Sequence, residues 1–349
     1  MKVNRRRALI LTPALLLAAG ALALVSACGS MPKNEVRESL LGLEKNARIV
    51  EHGLSSATFR ADIGDGTEEF ELVYLHVPAR QPLEGARPVL LLHGTPSTLC
   101  TWTDVVFGVE GQSAGLAQHR DVYAIEMIGH GFAPGSYEPY SFQSIAEFTM
   151  AATRALGLED VHIVGQSYGG EIAWRAALDA PDLYRSLTLS NSAGYERADD
   201  EWLPEEVKMR DMWLADIGWR LNDRDRILEA LEPHYEEVPA GSVEEFFLVC
   251  ENGDNWRAMI DLVRDENGTR QADLLELAQP TLILWGERDI AYTLDTVGRR
   301  FAEDIPNAEL RTVEAGHYPQ EEAPAAYERQ LSAFLTAVDA AQLAPETNR

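Results

Sequence analysis

The stretch VHIVGQSYGGEIAW, residues 161–174, decides how the rest of the chain is read. Its first part, Val161–Val164, is a short β-branched run of the kind buried on both faces of a sheet. Beyond it, Ile172–Ala177 has the small-residue face of a helix. Between them stands one hydroxyl, Ser167, with Gly165 and Gly169 two residues to either side. A chain that passes from strand to helix this abruptly forces its central residue into strained backbone, and side chains two positions away would strike the neighbouring strand and helix. Glycine removes that collision. The turn would hold the hydroxyl at the carboxyl end of a sheet, where open α/β sheets bind ligands, and above a helix amino terminus that favours developing negative charge. G-x-S-x-G in this setting reads as a nucleophile turn.

Outward from it, Val89–Leu92, Val122–Ile125, Leu187–Leu189, Thr281–Trp285 and Leu310–Val313 are further apolar runs without clean alternation. Thr58–Asp62 and Phe70–Val77 do alternate, around the turn Gly64-Asp65-Gly66, and predict an antiparallel hairpin. Helix-period stretches such as Ile145–Leu156 and Tyr327–Val338 separate most of the strands. Eight strands alternating with helices predict an α/β fold, a mostly parallel, doubly wound sheet. One interval breaks the alternation. Residues 195–275 carry helix-like segments, no convincing strand, and the aromatic residues Trp202, Trp213, Trp219, Trp256, Phe246 and Phe247, which reads as an inserted helical cap roofing an apolar pocket. Residues 47–194 and 276–349 then form the two parts of the core, and the polar stretch 28–46 reads as a tether with at most one helical turn.

A serine nucleophile needs a base and the base needs an orienting carboxylate. His317 lies in Ala315-Gly316-His317-Tyr318-Pro319, between the last strand and a helix, where its ring can reach over the strand ends. Histidines 52, 119 and 234 have no supporting pattern, and His162 lies within its strand as a packed or solvated residue. Asp289 ends Leu284-Trp285-Gly286-Glu287-Arg288-Asp289 at the same sheet edge, with Glu287 and Glu314 as rivals. The loop His93-Gly94-Thr95-Pro96 closes the first long apolar strand, and the backbone amides of Thr95 and Tyr168 are the candidates for an oxyanion hole. His93 is expected to be structural. Trp102, in the loop after that strand, is expected either to line the substrate pocket or to fill core.

Composition limits the partners. Of 30 basic residues four (Lys2, Arg5, Arg6, Arg7) precede Cys28, whereas none of the 56 acidic ones does, so the rest of the chain is strongly acidic. That argues against a nucleic-acid footprint. MKVNRRR followed by the apolar run Ala8–Val25 makes residues 1–27 a signal peptide or anchor. Val25-Ser26-Ala27-Cys28 resembles the bacterial lipobox, which implies cleavage before Cys28, its lipidation, and an exported protein held to the membrane of the cell envelope. Cys100 and Cys250 read as buried, inert thiols. No cofactor is implied: there is no zinc-type cysteine cluster, no HExxH and no G-x-G-x-x-G.

The separated segments HGTPS (93–97), IGHGFAPG (128–135), GQSYGG (165–170), WGERD (285–289) and AGHYPQEEAP (315–324) together resemble the α/β-hydrolase family over roughly residues 55–340. The first and last look most like the branch of haloalkane dehalogenases and epoxide hydrolases. Those enzymes place aspartate where this chain has Ser167, so the resemblance implies a serine hydrolase with a Ser167–His317–Asp289 triad, no cofactor, and a small or medium acyl substrate such as a carboxylic ester. C–C bond hydrolysis, perhydrolysis or acyl transfer on the same residues, and a non-catalytic lipid-anchored ligand-binding protein, remain alternatives. Glu126 stands where the family commonly has Asp and is read as structural; Pro96 is expected to be cis, as in related enzymes.

Overall fold

The eight expected strands form one eight-stranded sheet in this computed structural model, which describes residues 31–64, 66–133, 140–196, 223–251 and 255–343. The strands are β1 Ser55–Ile63, β2 Gly66–Val77, β3 Val89–Leu92, β4 Val122–Ile125, β5 Val161–Gln166, β6 Tyr184–Ser190, β7 Thr281–Gly286 and β8 Ala308–Val313. Their order is β1-β2-β4-β3-β5-β6-β7-β8. Strand β2 runs antiparallel to both its neighbours and every other pair is parallel. Residues 1–27, expected as a signal peptide or anchor, and Cys28 lie outside the described residues. Among those described, no helix is long and apolar enough to cross a membrane.

The central strands show no polar alternation because both of their faces are covered. In β3, Leu90 and Leu92 enter one core cluster while Val89 and Leu91 enter the other. The longer helices are α1 Lys33–Leu41, α2 Phe142–Ala155, α3 Tyr168–Asp179, α4 Arg224–Leu231, α5 Ser242–Glu251, α6 Asn255–Asp265 and α7 Pro324–Leu343. Helix α2 begins at a capping box of Ser141 and Ser144, and buries Phe142, Ile145 and Phe148 together with Ile172 and Trp174 of α3. Helix α7 covers the opposite face through Tyr327, Leu331 and Leu335.

Between β6 and β7 the described residues are helical, with no strand among them. Trp202, Trp213 and Trp219 lie outside the described residues. A small cluster of Ile227, Leu231, Tyr235 and Phe246 from this insert closes on Tyr318, the residue after His317. The stretch expected as a tether departs from expectation. Residues Lys33–Leu41 make a full nine-residue helix, α1, whose Val36 and Leu40 are fully buried with Leu248 and Val249 of α5. Two apolar positions at i, i+4 spacing bury one helical stripe, but they are too few to stand out in a polar sequence.

His162 is packed, and at the end of the sheet away from Ser167. Its Nδ1 lies 2.7 Å from Ser186 Oγ and its Nε2 3.1 Å from Asp339 Oδ1 on α7, while Arg120 donates to Asp339 Oδ2 at 3.0 Å. Burial lowers the His162 pKa below its ordinary value. For Asp339 burial works to raise the carboxyl, but His162 and Arg120 outweigh it and hold it low. The network fastens the last helix to the sheet. Removing one partner of a buried pair strands the other charge, so Asp339→Ala should cost about 3 kcal/mol of unfolding free energy, read by urea denaturation.

Candidate active site

Ser167 sits at φ 54° and ψ −123°, a left-handed backbone that costs a residue with a Cβ about 1–3 kcal/mol. The surroundings hold it there. Its amide donates to the Ser190 carbonyl at 3.0 Å, and its carbonyl accepts from Gly170 N at 2.9 Å and Ala193 N at 3.2 Å. A Cβ at position 165 would stand 2.1 Å from the Gly169 carbonyl oxygen, so the turn closes only with glycine there. Ser167 Oγ is 3.1 Å from His317 Nε2, and His317 Nδ1 is 2.9 Å from Asp289 Oδ2. Because a carboxylate only accepts, Nδ1 carries the proton, which leaves Nε2 to accept from the serine hydroxyl.

Asp289 is buried and fully engaged. Oδ2 accepts from Asn191 Nδ2 at 2.7 Å, and Oδ1 from the amides of Ala291 at 2.7 Å and Tyr292 at 3.2 Å. Burial works to raise its pKa, but the charge and hydrogen bond of His317, with the Asn191 and Tyr292 bonds, outweigh it and hold the carboxyl below its ordinary range. The rivals Glu287 and Glu314 are exposed, and Glu287 accepts from Thr312 instead. Two groups invisible as motifs seat His317: its amide donates to the His234 carbonyl at 2.9 Å, and its carbonyl accepts from Gln166 Nε2 at 2.9 Å.

The loop after β3 lies against the serine. A Cβ on Gly94 would come within 2.8 Å of Ser167 Cβ, which brings the backbone at 94–95 beside the nucleophile turn, with the Thr95–Pro96 peptide cis. Tyr168 opens α3 immediately after Ser167. Hydroxyl, imidazole, carboxylate and two flanking backbone segments thus meet at the carboxyl ends of β3, β5, β7 and β8, an arrangement able to deprotonate a serine and to receive an oxyanion.

Residues 87–324 match the sequence profile of the alpha/beta hydrolase fold. The chain belongs to that family. Its relatives include an uncharacterized hydrolase, YugF, of Bacillus subtilis (strain 168), 23% identical over 271 residues covering 72% of this chain and 90% of the relative. A 2-hydroxymuconate semialdehyde hydrolase of Pseudomonas putida is 28% identical over 267 residues, 72% of this chain and 88% of that one. Among solved structures, a membrane phospholipase A described as a bacterial virulence factor superposes with a TM-score of 0.65 at 22% identity, over 94% of this chain and 99% of its own.

Within this alpha/beta hydrolase several expectations resolve. Trp102 is fully enclosed and packs on Tyr327 of α7 with ring centroids 6.0 Å apart, so it fills core and does not line a pocket. It ends the short helical turn Leu99–Trp102 and joins the core cluster that holds Tyr327 and Leu331. Cys100 and Cys250 are free and buried, their pKa values pushed up by that burial. Burial pushes Glu126 up to about 8 despite the amides of Leu99 and Phe132 that it accepts at 2.9 and 3.2 Å. His93 is structural: its Nε2 accepts from Met127 N at 3.1 Å. His130, from the IGHGFAPG segment, lies 2.6 Å through Nε2 from Thr95 Oγ1.

Burial lowers His93 to about 3 and His130 to about 4, from an ordinary 6.5. As pH falls below 6.5 the unfolded chain takes protons that the folded site refuses, so the stability these groups carry at neutral pH is lost toward pH 4. Replacing His130 by Asn removes one such uptake. His130→Asn should lose about 2 kcal/mol less than the parent protein between pH 7 and pH 5, by urea unfolding at both values.

Proposed function

We propose that the protein is a serine hydrolase acting on a small or medium acyl substrate, a carboxylic ester in the first place. The observation that carries the reading is the continuous row Ser167 Oγ, His317 Nε2, His317 Nδ1, Asp289 Oδ2, with spacings of 3.1 and 2.9 Å. In this reading His317 takes the hydroxyl proton as Ser167 Oγ bonds to the carbonyl carbon, and Asp289 steadies the imidazolium. The Thr95 and Tyr168 amides receive the oxyanion. Collapse breaks the carbon–oxygen bond to the alcohol, which leaves with the proton from His317. Water then attacks the acyl-serine, giving its proton to His317, and the acid departs as the serine is restored.

The chemistry is read out with p-nitrophenyl esters of increasing chain length on the full-length protein in detergent. Ser167→Ala should reduce turnover by about 10⁴-fold or more, and Asp289→Asn, which upsets the imidazole tautomer, by about 10⁴-fold. Undiminished hydrolysis in the alanine variant would overturn the assignment. Hydrolysis of a carbon–carbon bond is the second reading, favoured by the 28% identity to a 2-hydroxymuconate semialdehyde hydrolase. Turnover of 2-hydroxymuconate semialdehyde with no ester hydrolysis would select it.

We also infer that Cys28 is lipidated after removal of residues 1–27, and that the enzyme works at the membrane of the bacterial envelope. The basic start, the run Ala8–Val25 and the Val25-Ser26-Ala27-Cys28 site support this. So does the likeness, over 94% of the chain, to a protein named a membrane phospholipase A. Cys28→Ser should move the protein from the membrane to the soluble fraction. Continued anchorage of that variant would point to an uncleaved apolar helix.

A further inference from the structure

The helical insert leaves and rejoins the core along a narrow stem. At Gly268, φ +63°, an added Cβ would stand 2.4 Å from Glu196 N, so the outgoing and returning segments run side by side there. Just before that point, following α6, is Glu266, whose carboxylate is buried. Its Oε2 accepts from the Tyr168 hydroxyl at 2.8 Å and its Oε1 from the Tyr292 hydroxyl at 2.7 Å. The two tyrosines belong to opposite sides of the proposed reaction centre. Tyr168 follows Ser167 and offers its amide to the oxyanion. Tyr292 donates its own amide to Asp289 Oδ1 and sets its ring 5.6 Å from the His317 ring. The adjacent Asp265 accepts from the Phe142 amide at 2.8 Å, and Phe142 packs edge-on against Tyr168 with centroids 5.0 Å apart.

We propose that Glu266 is a positioning residue through which the stem of the insert holds the nucleophile turn and the Asp289 loop in mutual register. The proposal rests on the hydrolase reading above. Hydrogen bonds to an ionised acceptor are shorter and stronger than neutral ones, and a buried carboxylate is tolerated only when its oxygens are satisfied. Each carboxylate oxygen receives one tyrosine, so the separation of the two segments is set by the width of a single carboxylate. Neighbouring Glu171 is engaged at 2.6 and 3.1 Å by Arg175 of the same helix. Without the carboxylate, two enclosed hydroxyls each lose an acceptor, and the link between the two segments goes with it. Shifts well under 1 Å at the reacting groups are enough to slow chemistry.

The test uses the full-length protein in detergent, with p-nitrophenyl ester turnover and the rate at which a fluorophosphonate labels Ser167. Glu266→Ala should lower both kcat and the labelling rate about tenfold while KM stays within about twofold. Glu266→Gln, which keeps an acceptor for one hydroxyl and offers a donor to the other oxygen, should recover most of the loss. Tyr168→Phe and Tyr292→Phe should each lose part of the rate, and add nothing on top of Glu266→Ala. Wild-type kcat and labelling in Glu266→Ala would overturn the proposal, as would a glutamine variant as slow as the alanine one or a change confined to KM. If Glu266→Ala does not fold, the two phenylalanine variants decide: wild-type kcat in both overturns it. Failure of the parent protein to be labelled at Ser167 removes the hydrolase reading itself, whereas a labelled parent with unaffected variants removes only the role of Glu266.

Discussion

One backbone distortion organises the carboxyl edge of the sheet: the left-handed turn at Ser167. It persists because nothing around it can yield. Strand β5 is paired on both sides, to β3 and β6, and every residue of it is buried. Helix α3 starts at the next residue, and Gly165 lets the two backbones touch. A relaxed serine would need either the strand or the helix to move, and the strand is locked into the core clusters on both faces of the sheet and the helix into one of them. Packing free energy stored throughout the domain thus maintains a strain of about 1–3 kcal/mol at one residue. The result is a hydroxyl raised off the sheet edge, in reach of an imidazole from the far side.

The other groups arrive from loops, and loops need support. Asp289 and His317 are each steadied by polar neighbours with little catalytic character of their own. Asn191 uses one amide on Asp289 Oδ2 and its oxygen on the Gly286 amide, tying the acid to the end of the strand that delivers it. Gln166 and His234 hold the backbone on either side of His317. Each of these buried bonds resists displacement, because breaking it would leave a donor or acceptor unsatisfied in a low-dielectric interior. The insert takes part in the same way, through the cluster around Tyr318 and through its stem.

Much of this was legible before any coordinates. The apolar runs marked the strands because double burial demands unbroken hydrophobicity, and the longest helices announced themselves by period. Ser167 was legible because strand, glycine, serine, glycine and helix follow one another within a few residues, and His317 because it sits in a loop between the last strand and a helix. Position at the sheet edge and the order of the three groups favoured Asp289 over Glu287 and Glu314, but three carboxylates near the same edge differ chiefly in where their side chains end up. Burial separates them. The same limit explains α1, whose two buried residues need the α5 surface to give them meaning, and Trp102, whose ring direction depends on helix α7 more than 200 residues away in the chain.

The sequence by itself determined the order of elements, the sharp turn at Ser167 and the residue types able to form a serine, histidine and carboxylate row. Those are consequences of short-range sterics and hydrophobic period, which act between residues close in the chain. Only the tertiary structure decided how the chosen carboxylate meets His317, which groups hold each loop, and that Glu266 bridges Tyr168 and Tyr292. These contacts join residues 26 to 151 positions apart. Such separations are closed by the sheet and the insert, and no local rule of the chain encodes the direction in which a side chain will then point.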